Sequence, residues 1–424
     1  MKKILIGTSA LVAASALAGV ANAAEPLKLS VGGFGSVFVG YASQEDKYLK
    51  ALRSIGDGSE VSSVDVKGDN ELHFKAKSTL DNGLTVAFKV EMEAGGKDPV
   101  GRVVDEYHIS LGGAFGTIIA GADDNALAAI ANRAPHMGGR LLGAGLSDGD
   151  MVEGLWILKP KSLSAKDTST PAKDITLDGA KGGYATYVDT NSDSESISYL
   201  TPSIAGFMLG ATYIPDAAQG RNKADQPFGS NTLDAYGVGL AYAGKFGDLG
   251  VNADIGWLTG DQPTADSHNE YQAGLSLSYG GFMIGGGYRL IDQDYSKTAG
   301  TPAANKVVTS DADAWEVGVG YKSGPYGIAL GYTETSIDKK RNINITALGT
   351  SALALDGETS GKDKTRIVQL TSEYTMGPGV MLVGGLGYAK YDDRTVTKAP
   401  IGADNQKLGK NSGWVAVTGL SLAF

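Results

Sequence analysis

Apolar residues along the second half of this chain alternate with small or polar ones, and the alternating runs end in aromatics. The segments Tyr236-Gly-Val238-Gly-Leu240-Ala-Tyr242 and Tyr271-Gln-Ala273-Gly-Leu275-Ser-Leu277-Ser-Tyr279 show it, as do Trp315-Glu-Val317-Gly-Val319-Gly-Tyr321 and Tyr326-Gly-Ile328-Ala-Leu330-Gly-Tyr332. Successive side chains of a strand point to opposite faces, so each segment has one aliphatic face bracketed by rings and one face of Gly, Ser, Ala or Glu. A soluble sandwich has no reason to end its buried face on aromatics at both tips. A bilayer does, because amphipathic rings sit at its two interfaces while aliphatics fill the middle, and the pattern predicts a transmembrane β-barrel.

The same reading extends over the whole chain. Strands are predicted at 27–41, 68–80, 84–93, 102–113, 117–122, 194–201, 206–214, 233–243, 249–259, 270–279, 281–292, 313–322, 325–335, 365–376, 380–392 and 413–424, about sixteen in all. Tight turns and long polar connections join them alternately. The turns fall at Asp81-Asn82-Gly83, Ala114-Phe115-Gly116, Pro202 to Gly206, Gly244 to Asp248, Gly280-Gly281, Ser323-Gly324-Pro325 and Gly377-Pro378-Gly379. All but the second carry residues that adopt turn dihedrals at low cost. The long connections fall near 42–67, 94–101, 123–193, 215–232, 260–269, 293–312, 336–364 and 393–412. Short turns on one rim and long loops on the other are the asymmetry of an outer-membrane barrel.

The first and last strands read differently. In the last, Trp414, Leu420, Leu422 and Phe424 share one face, predicted to meet lipid or a neighbouring subunit. In the first, Phe34, Val37, Phe38 and Val39 lie among Gly32, Gly33, Gly35 and Gly40 with poorer alternation, which predicts a two-sided surface closing against the last strand. Its glycines do not make a dinucleotide loop, since G-x-G-x-x-G requires glycine where Phe38 stands.

The N-terminus adds an address. Met1-Lys2-Lys3, the apolar run from Ile4 to Val20 and Ala21-Asn22-Ala23 form a basic start, a hydrophobic stretch and an A-x-A site, so residues 1–23 read as a secretory signal and 24–424 as the barrel. Gly7, Thr8, Ser9, Ser15 and Gly19 dilute the run too much for an anchoring helix. No later stretch resembles a transmembrane helix, and only a closed barrel otherwise satisfies the backbone in hydrocarbon. Zero cysteines exclude a disulfide framework and thiolate chemistry. The net charge of −10 becomes more acidic once Lys2 and Lys3 are removed, which argues against nonspecific nucleic-acid binding.

Strand parity then assigns charges to the lumen. Leu72, Phe74 and Ala76 take the outer face of the second strand, leaving Glu71, His73, Lys75 and Lys77 inside. In the third, Leu84, Val86, Phe88, Val90 and Met92 point out while Lys89, Glu91 and Glu93 point in. In the fourth, Tyr107, Ile109 and Leu111 point out and Arg102, Glu106 and His108 in. A charge facing lipid at the midplane costs about 2 to 4 kcal/mol, so the register is strongly enforced. Arg289, Glu316, Gln369 and Glu373 are further inward candidates.

Catalytic chemistry has no visible constellation. His73, His108, His136 and His268 lie on separate segments without H-E-x-x-H or G-x-S-x-G, and an enzyme is not expected. No cofactor is expected either. The acidic clusters Asp123-Asp124, Asp392-Asp393 and Asp311-Ala-Asp313 offer oxygen ligands suited to Ca²⁺, but without a D-x-D-x-D-G loop they read first as solvated charge.

Signal, alternating strands, a long third loop and a terminal Phe424 together resemble the general diffusion porins of Gram-negative bacteria. The opening Leu27-Lys-Leu-Ser-Val-Gly-Gly-Phe-Gly-Ser36 and the exit Gly121-Ala-Asp-Asp-Asn-Ala126 look most like the alphaproteobacterial branch, for which the chain is long. The resemblance implies a sixteen-stranded, usually trimeric barrel in the outer membrane, in contact with its lipid and lipopolysaccharide. It further implies a third loop folded into the lumen and a terminal phenylalanine read by the barrel assembly machinery. Passive diffusion of ions and small hydrophilic solutes is the implied function. The rivals are a substrate-specific channel and a non-conducting surface or adhesion barrel. A stacked aromatic track or arginine ladder inside would mark a specific channel, and neither is visible in the sequence.

On that reading the third loop begins with a short helix over Asn125–Arg133, capped by Asn125. The loop carries Asp123, Asp124, Asp148, Asp150 and Glu153 against Arg133 and Arg140. If it lies against the wall bearing Lys75, Lys77 and Lys89, opposite charges face each other across a narrow aqueous gap and act on ions through field and size. The acidic excess predicts a weak cation preference, felt within about 8 to 10 Å of each charge at physiological salt.

Overall fold

The computed structural model describes residues 26–54, 62–95, 104–138, 156–160, 164–166, 174–176, 185–191, 194–217, 232–261, 267–294, 307–343, 357–359, 362–392 and 409–424. The residues proposed as a signal segment, and Arg102, Arg140, Asp148, Asp150 and Glu153, lie outside them.

Sixteen antiparallel strands close into a barrel, consistent with the alternation in the sequence. They are β1 (Lys28–Gln44), β2 (Val64–Thr79), β3 (Thr85–Glu93), β4 (Val104–Gly113), β5 (Gly116–Ala122), β6 (Glu195–Leu200), β7 (Phe207–Asp216) and β8 (Leu233–Phe246). The second half comprises β9 (Leu249–Asp261), β10 (Ser267–Tyr279), β11 (Phe282–Asp294), β12 (Val307–Ser323), β13 (Tyr326–Ile343), β14 (Lys362–Gly377), β15 (Val380–Asp392) and β16 (Lys410–Ala423). Each strand pairs with the next, and β1 closes the ring on β16 from Phe34↔Ala423 to Gln44↔Gly413. A three-residue strand, Gly357–Thr359, extends the sheet beside β13, and Ser164–Lys166 pairs with Asp174–Thr176 within the third loop. No helix among the described residues is long and apolar enough to cross a membrane.

Inside and outside are reversed relative to a soluble core. Leu275, Val317, Val319 and Leu330 are exposed on the outer surface, whereas Gln272, Arg289, Glu316 and Gln369 are buried on the inner one. Ring pairs Phe207–Tyr242, Phe282–Tyr321 and Tyr326–Tyr374 edge the short-turn rim, with centroids 4.5 to 5.0 Å apart. Tyr213–Tyr236, Trp315–Tyr332 and Tyr388–Trp414 edge the other at 4.8 to 5.0 Å. From Tyr326 to Tyr332 the strand advances about 20 Å, the height of an apolar band. The tight turns lie where the sequence puts them. At Gly280-Gly281 both residues take positive φ, 54° and 88°, a region glycine enters without steric cost.

The first strand resolves its weak alternation. Val37, Val39 and Tyr41 face outward, while Phe38 is buried inside the barrel against Trp156 of the third loop. A helix, α1 (Asp46–Ser54), follows within the connection read from sequence as loop. Its Tyr48 and Leu52 bury against Leu158, and the Tyr48 hydroxyl donates to the Lys159 carbonyl at 3.0 Å.

Candidate functional site: a loop belt inside the lumen

The connection between β5 and β6 enters the barrel. It begins with α2 (Ala126–Ile130), shorter than the sequence predicts but capped as expected. The Asn125 side chain accepts from the amides of Leu127 and Ala128 at 2.8 and 3.1 Å. Its amide donates to the Val188 carbonyl and Asn191 Oδ1, so one buried Asn ties the loop's start to its return. The helix presses Leu127 onto Leu258, Ile214 and Ala235, and Ile130 onto Ile119 and Leu200. It lies against glycines: a Cβ at Gly237 would stand 2.8 Å from Leu127, and one at Gly239 2.7 Å from Ile130.

Beyond α2 the chain runs along the wall, and polar side chains of successive strands accept its backbone N–H groups. Asn132 donates to Asp254 on β9 at 2.6 Å, Ala134 to Glu316 on β12 at 2.9 Å, and Met137 and Gly138 to Thr371 and Glu373 on β14, each at 3.0 Å. The segment thereby satisfies amides that would otherwise lack partners away from sheet pairing. Residues 156–158 lie across the lumen on β1 and β16, where Trp156 and Ile157 pack on Phe38, Val415 and Val417, and Leu158 N donates to Gln44 Oε1 at 2.8 Å. The return segment passes over β10 and β11. Val188 N donates to Gln272 Oε1 at 2.8 Å, Thr190 bonds Glu270, and Arg289 is held between Asp189 and Glu270.

The β2–β4 wall carries a different surface. Lys75 and Lys77 are exposed near the short-turn rim, with Lys75 in register with Lys89. Lys89 Nζ bonds Glu91 at 2.7 Å and Glu106 at 3.1 Å. His73 lies between Glu71 (2.9 Å) and Glu91 (3.2 Å). Asp123 and Asp124 stand at the root of the loop, with Asp123 Oδ2 2.9 Å from His108 Nδ1. Burial pushes the Asp123 carboxyl up, but the charge and hydrogen-bonding of His108 outweigh it and hold the group below the ordinary aspartate range. Burial, followed by the neighbouring charge of Asp123, pushes Asp124 up to about 6. Burial and the charge of Arg133 keep His136 below the usual histidine range.

The described part of the loop does not face Lys75 and Lys77, while Arg140, Asp148, Asp150 and Glu153 of the expected facing arrangement lie outside the described residues. Among the described residues of the loop, only the root, Asp123 and Asp124, stands beside the Lys89 wall. Residues 125–138 line the β7–β14 side, where Arg133 places its guanidinium 3.5 Å over the Tyr187 ring. Asp254, Gln272, Thr371 and Trp156 were not singled out from sequence. Inward parity and polarity mark the first three, but nothing local shows that they receive a distant loop. An apolar hollow of ≈ 530 Å³, lined by Leu277, Phe282, Val319, Ile328 and Leu370 among others, lies on the β10–β14 sector, away from these charges.

A closed barrel with an aliphatic exterior between aromatic edges and a polar, loop-lined interior is an outer-membrane channel. The chain belongs to the Gram-negative porin family, whose model matches residues 8–394. Among solved structures, the anion-selective porin from Comamonas acidovorans superposes with a TM-score of 0.51 at 16% identity, over 94% of this chain and 100% of that one. OmpT, an outer membrane protein of Vibrio cholerae in its trimer form, gives 0.51 at 14% identity over 95% and 100%. These likenesses are of fold. No curated protein matches the sequence.

Proposed function

We propose that the protein is a general diffusion porin that admits ions and small hydrophilic solutes, with a size limit set by the third loop and a weak preference for cations. The loop path carries the reading: a segment bonded along the inner wall narrows the lumen, and it takes Asp254, Glu316 and Glu373 as its acceptors. On the opposite wall Glu71, Glu91, Glu93, Glu106, Asp123 and Asp124 outnumber the nearby Lys89, so the field favours cations. Lys75 and Lys77 oppose it near the short-turn rim, which keeps the preference weak. The chain is exported by residues 1–23 and works as a homotrimer, a reading supported by the trimer form of OmpT. Phe424, whose amide donates to the Gly33 carbonyl at 3.1 Å, serves as the assembly signal. Purified protein in planar bilayers tests this. Stable conductance steps and a reversal potential of cation-selective sign in a KCl gradient are expected; silent membranes would remove the channel reading, and the opposite sign would remove the preference.

A further inference from the structure

Two adjacent strands set one imidazole between two carboxylates on the inner wall of the barrel. His73 on β2 stands in register with Glu91 on β3, and Glu71 with Glu93 one inward position nearer the long-loop rim. His73 Nε2 lies 2.9 Å from Glu71 Oε2, and its Nδ1 lies 3.2 Å from Glu91 Oε1. Glu71 and Glu91 are buried, at 4% and 5% exposure, whereas His73 is only half-buried. Phe34 of β1 meets the imidazole in a T-shaped contact, with centroids 6.1 Å apart, and fixes its plane.

Glu71, His73 and Glu91 each bring one ligating atom within 4.8 Å of the others, and Glu71 does the same with Glu93 and Asp105. A bulge supplies Asp105: between the pairs Val90↔Tyr107 and Met92↔Val104, two residues of β4, Asp105 and Glu106, oppose the single Glu91. Ligands about 2.0 to 2.2 Å from zinc at tetrahedral angles stand about 3.3 to 3.6 Å apart. A set already within 4.8 Å closes on such an ion by rotation of its carboxylates, and strands hold the positions without help from a loop. A cation on one ring nitrogen leaves the other to donate to the carboxylate facing it, the outer partner that steadies a ligating imidazole. Lys89, 2.7 Å from the same Glu91 oxygen, opposes the cation and makes the site an exchangeable one. Imidazole beside carboxylate suits zinc and its neighbours in the first transition row, whereas calcium and magnesium take oxygen sets such as Glu71, Glu93 and Asp105.

We propose that Glu71, His73 and Glu91 form a binding site for a divalent transition-metal ion on the inner wall, with Glu93 and Asp105 as its oxygen-only approach from the long-loop side. His73 is the residue that separates such ions from calcium and magnesium. The site needs the inward parity of β2 and β3, and it goes beyond the diffusion reading, which does not require it.

Full-length folded protein in detergent, stripped with a chelator and titrated with Co²⁺ and then Zn²⁺, tests the site. Cobalt is expected to bind and give visible d–d bands, and zinc to displace it. His73→Gln and Glu91→Gln are each expected to weaken zinc binding at least about tenfold while keeping the heat-modifiable migration of a folded barrel. X-ray absorption of zinc-loaded wild type needs no variant, and is expected to show a single imidazole among oxygen ligands at about 2.0 to 2.2 Å. Unchanged zinc affinity in His73→Gln would overturn the proposal, as would an all-oxygen shell or a shell of several imidazoles. Displacement of zinc by an equal concentration of Ca²⁺ would also overturn it, reducing the site to an acidic cluster. Zinc binding by protein that leaves planar bilayers silent supports the site and counts only against the channel reading; conducting protein that binds no zinc removes the site and leaves that reading standing.

Discussion

Asp254 is one of the polar side chains that make two bonds to the third loop, and removing it predicts a specific loss. Its Oδ1 accepts from the backbone amide of Asn132 at 2.6 Å and from the Asn132 side chain at 3.0 Å, while Oδ2 accepts from Gln272 at 2.9 Å. Hydrogen bonds to a charged group contribute about 1.5 to 3 kcal/mol, and bonds sharing one carboxylate do not add fully. Taking the loss in Asp254→Ala as about 1.5 to 3 kcal/mol, the ratio of unseated to seated segment rises roughly tenfold to a hundredfold. Barrel strands keep their ladders, so the protein should still migrate as a folded, heat-modifiable band. Single-channel records should show added flicker and a larger mean conductance, and liposome swelling should admit larger sugars than wild type does. Asp254→Asn retains an acceptor oxygen for the Asn132 amide and should lie close to wild type. The reasoning is refuted if Asp254→Ala conducts with wild-type amplitude, noise and size limit, or if the Asn and Ala variants behave alike.

Further outcomes follow from the same geometry. A Cβ at Gly274 would stand 2.3 Å from the Asn132 carbonyl and from Asp254 Oδ1, so Gly274→Ala should unseat the same stretch and reproduce the flicker. At Gly40 a Cβ would stand 2.3 Å from the Trp156 ring, so Gly40→Ala should displace residues 156–158 and speed proteolysis of the third loop without changing the heat-modifiable band. Trp156→Ala should do the same, since truncating a buried Trp costs about 3 to 5 kcal/mol where it packs. Because the folded-state pKa of Asp124 is raised to about 6 from 3.8, its charge is lost as pH falls through about 6. Cation preference measured by reversal potential should decline between about pH 7 and 5, and Asp124→Asn should flatten that step. The sign for stability is opposite: ionising a group with a raised pKa costs the folded state, so its share of stability grows as pH falls toward 3.8. Deleting Phe424 removes the Gly33–Phe424 bonds at 3.0 and 3.1 Å and should lower the yield of assembled barrel in cells.

What the sequence showed and what it hid follow from the range of the interactions involved. A strand declares itself within about eight residues, because lipid and water act on alternate side chains of the same short segment. Hence sixteen strands, their tight turns and the inward placement of His108, Arg289, Glu316 and Gln369 could be read without coordinates. Asn125 could be read as a cap for the same reason, its capping bonds reaching only to residues 127 and 128, whereas its bonds to Val188 and Asn191 were out of sight. The path of the third loop is of another kind. Ala134 meets Glu316 across 182 residues and Gly138 meets Glu373 across 235, and no local pattern joins those positions. Phe38 shows the limit most plainly: among glycines it carried no clear facing, and its inward burial makes sense only because Trp156 arrives from the loop to cover it. The glycines themselves held the missing information, for Gly40, Gly237, Gly239 and Gly274 are inward positions left bare where the belt must approach the wall. A run of inward glycines on adjacent barrel strands therefore marks the track of an internal loop, and here the track of residues 125–138 runs along the wall of β7–β14.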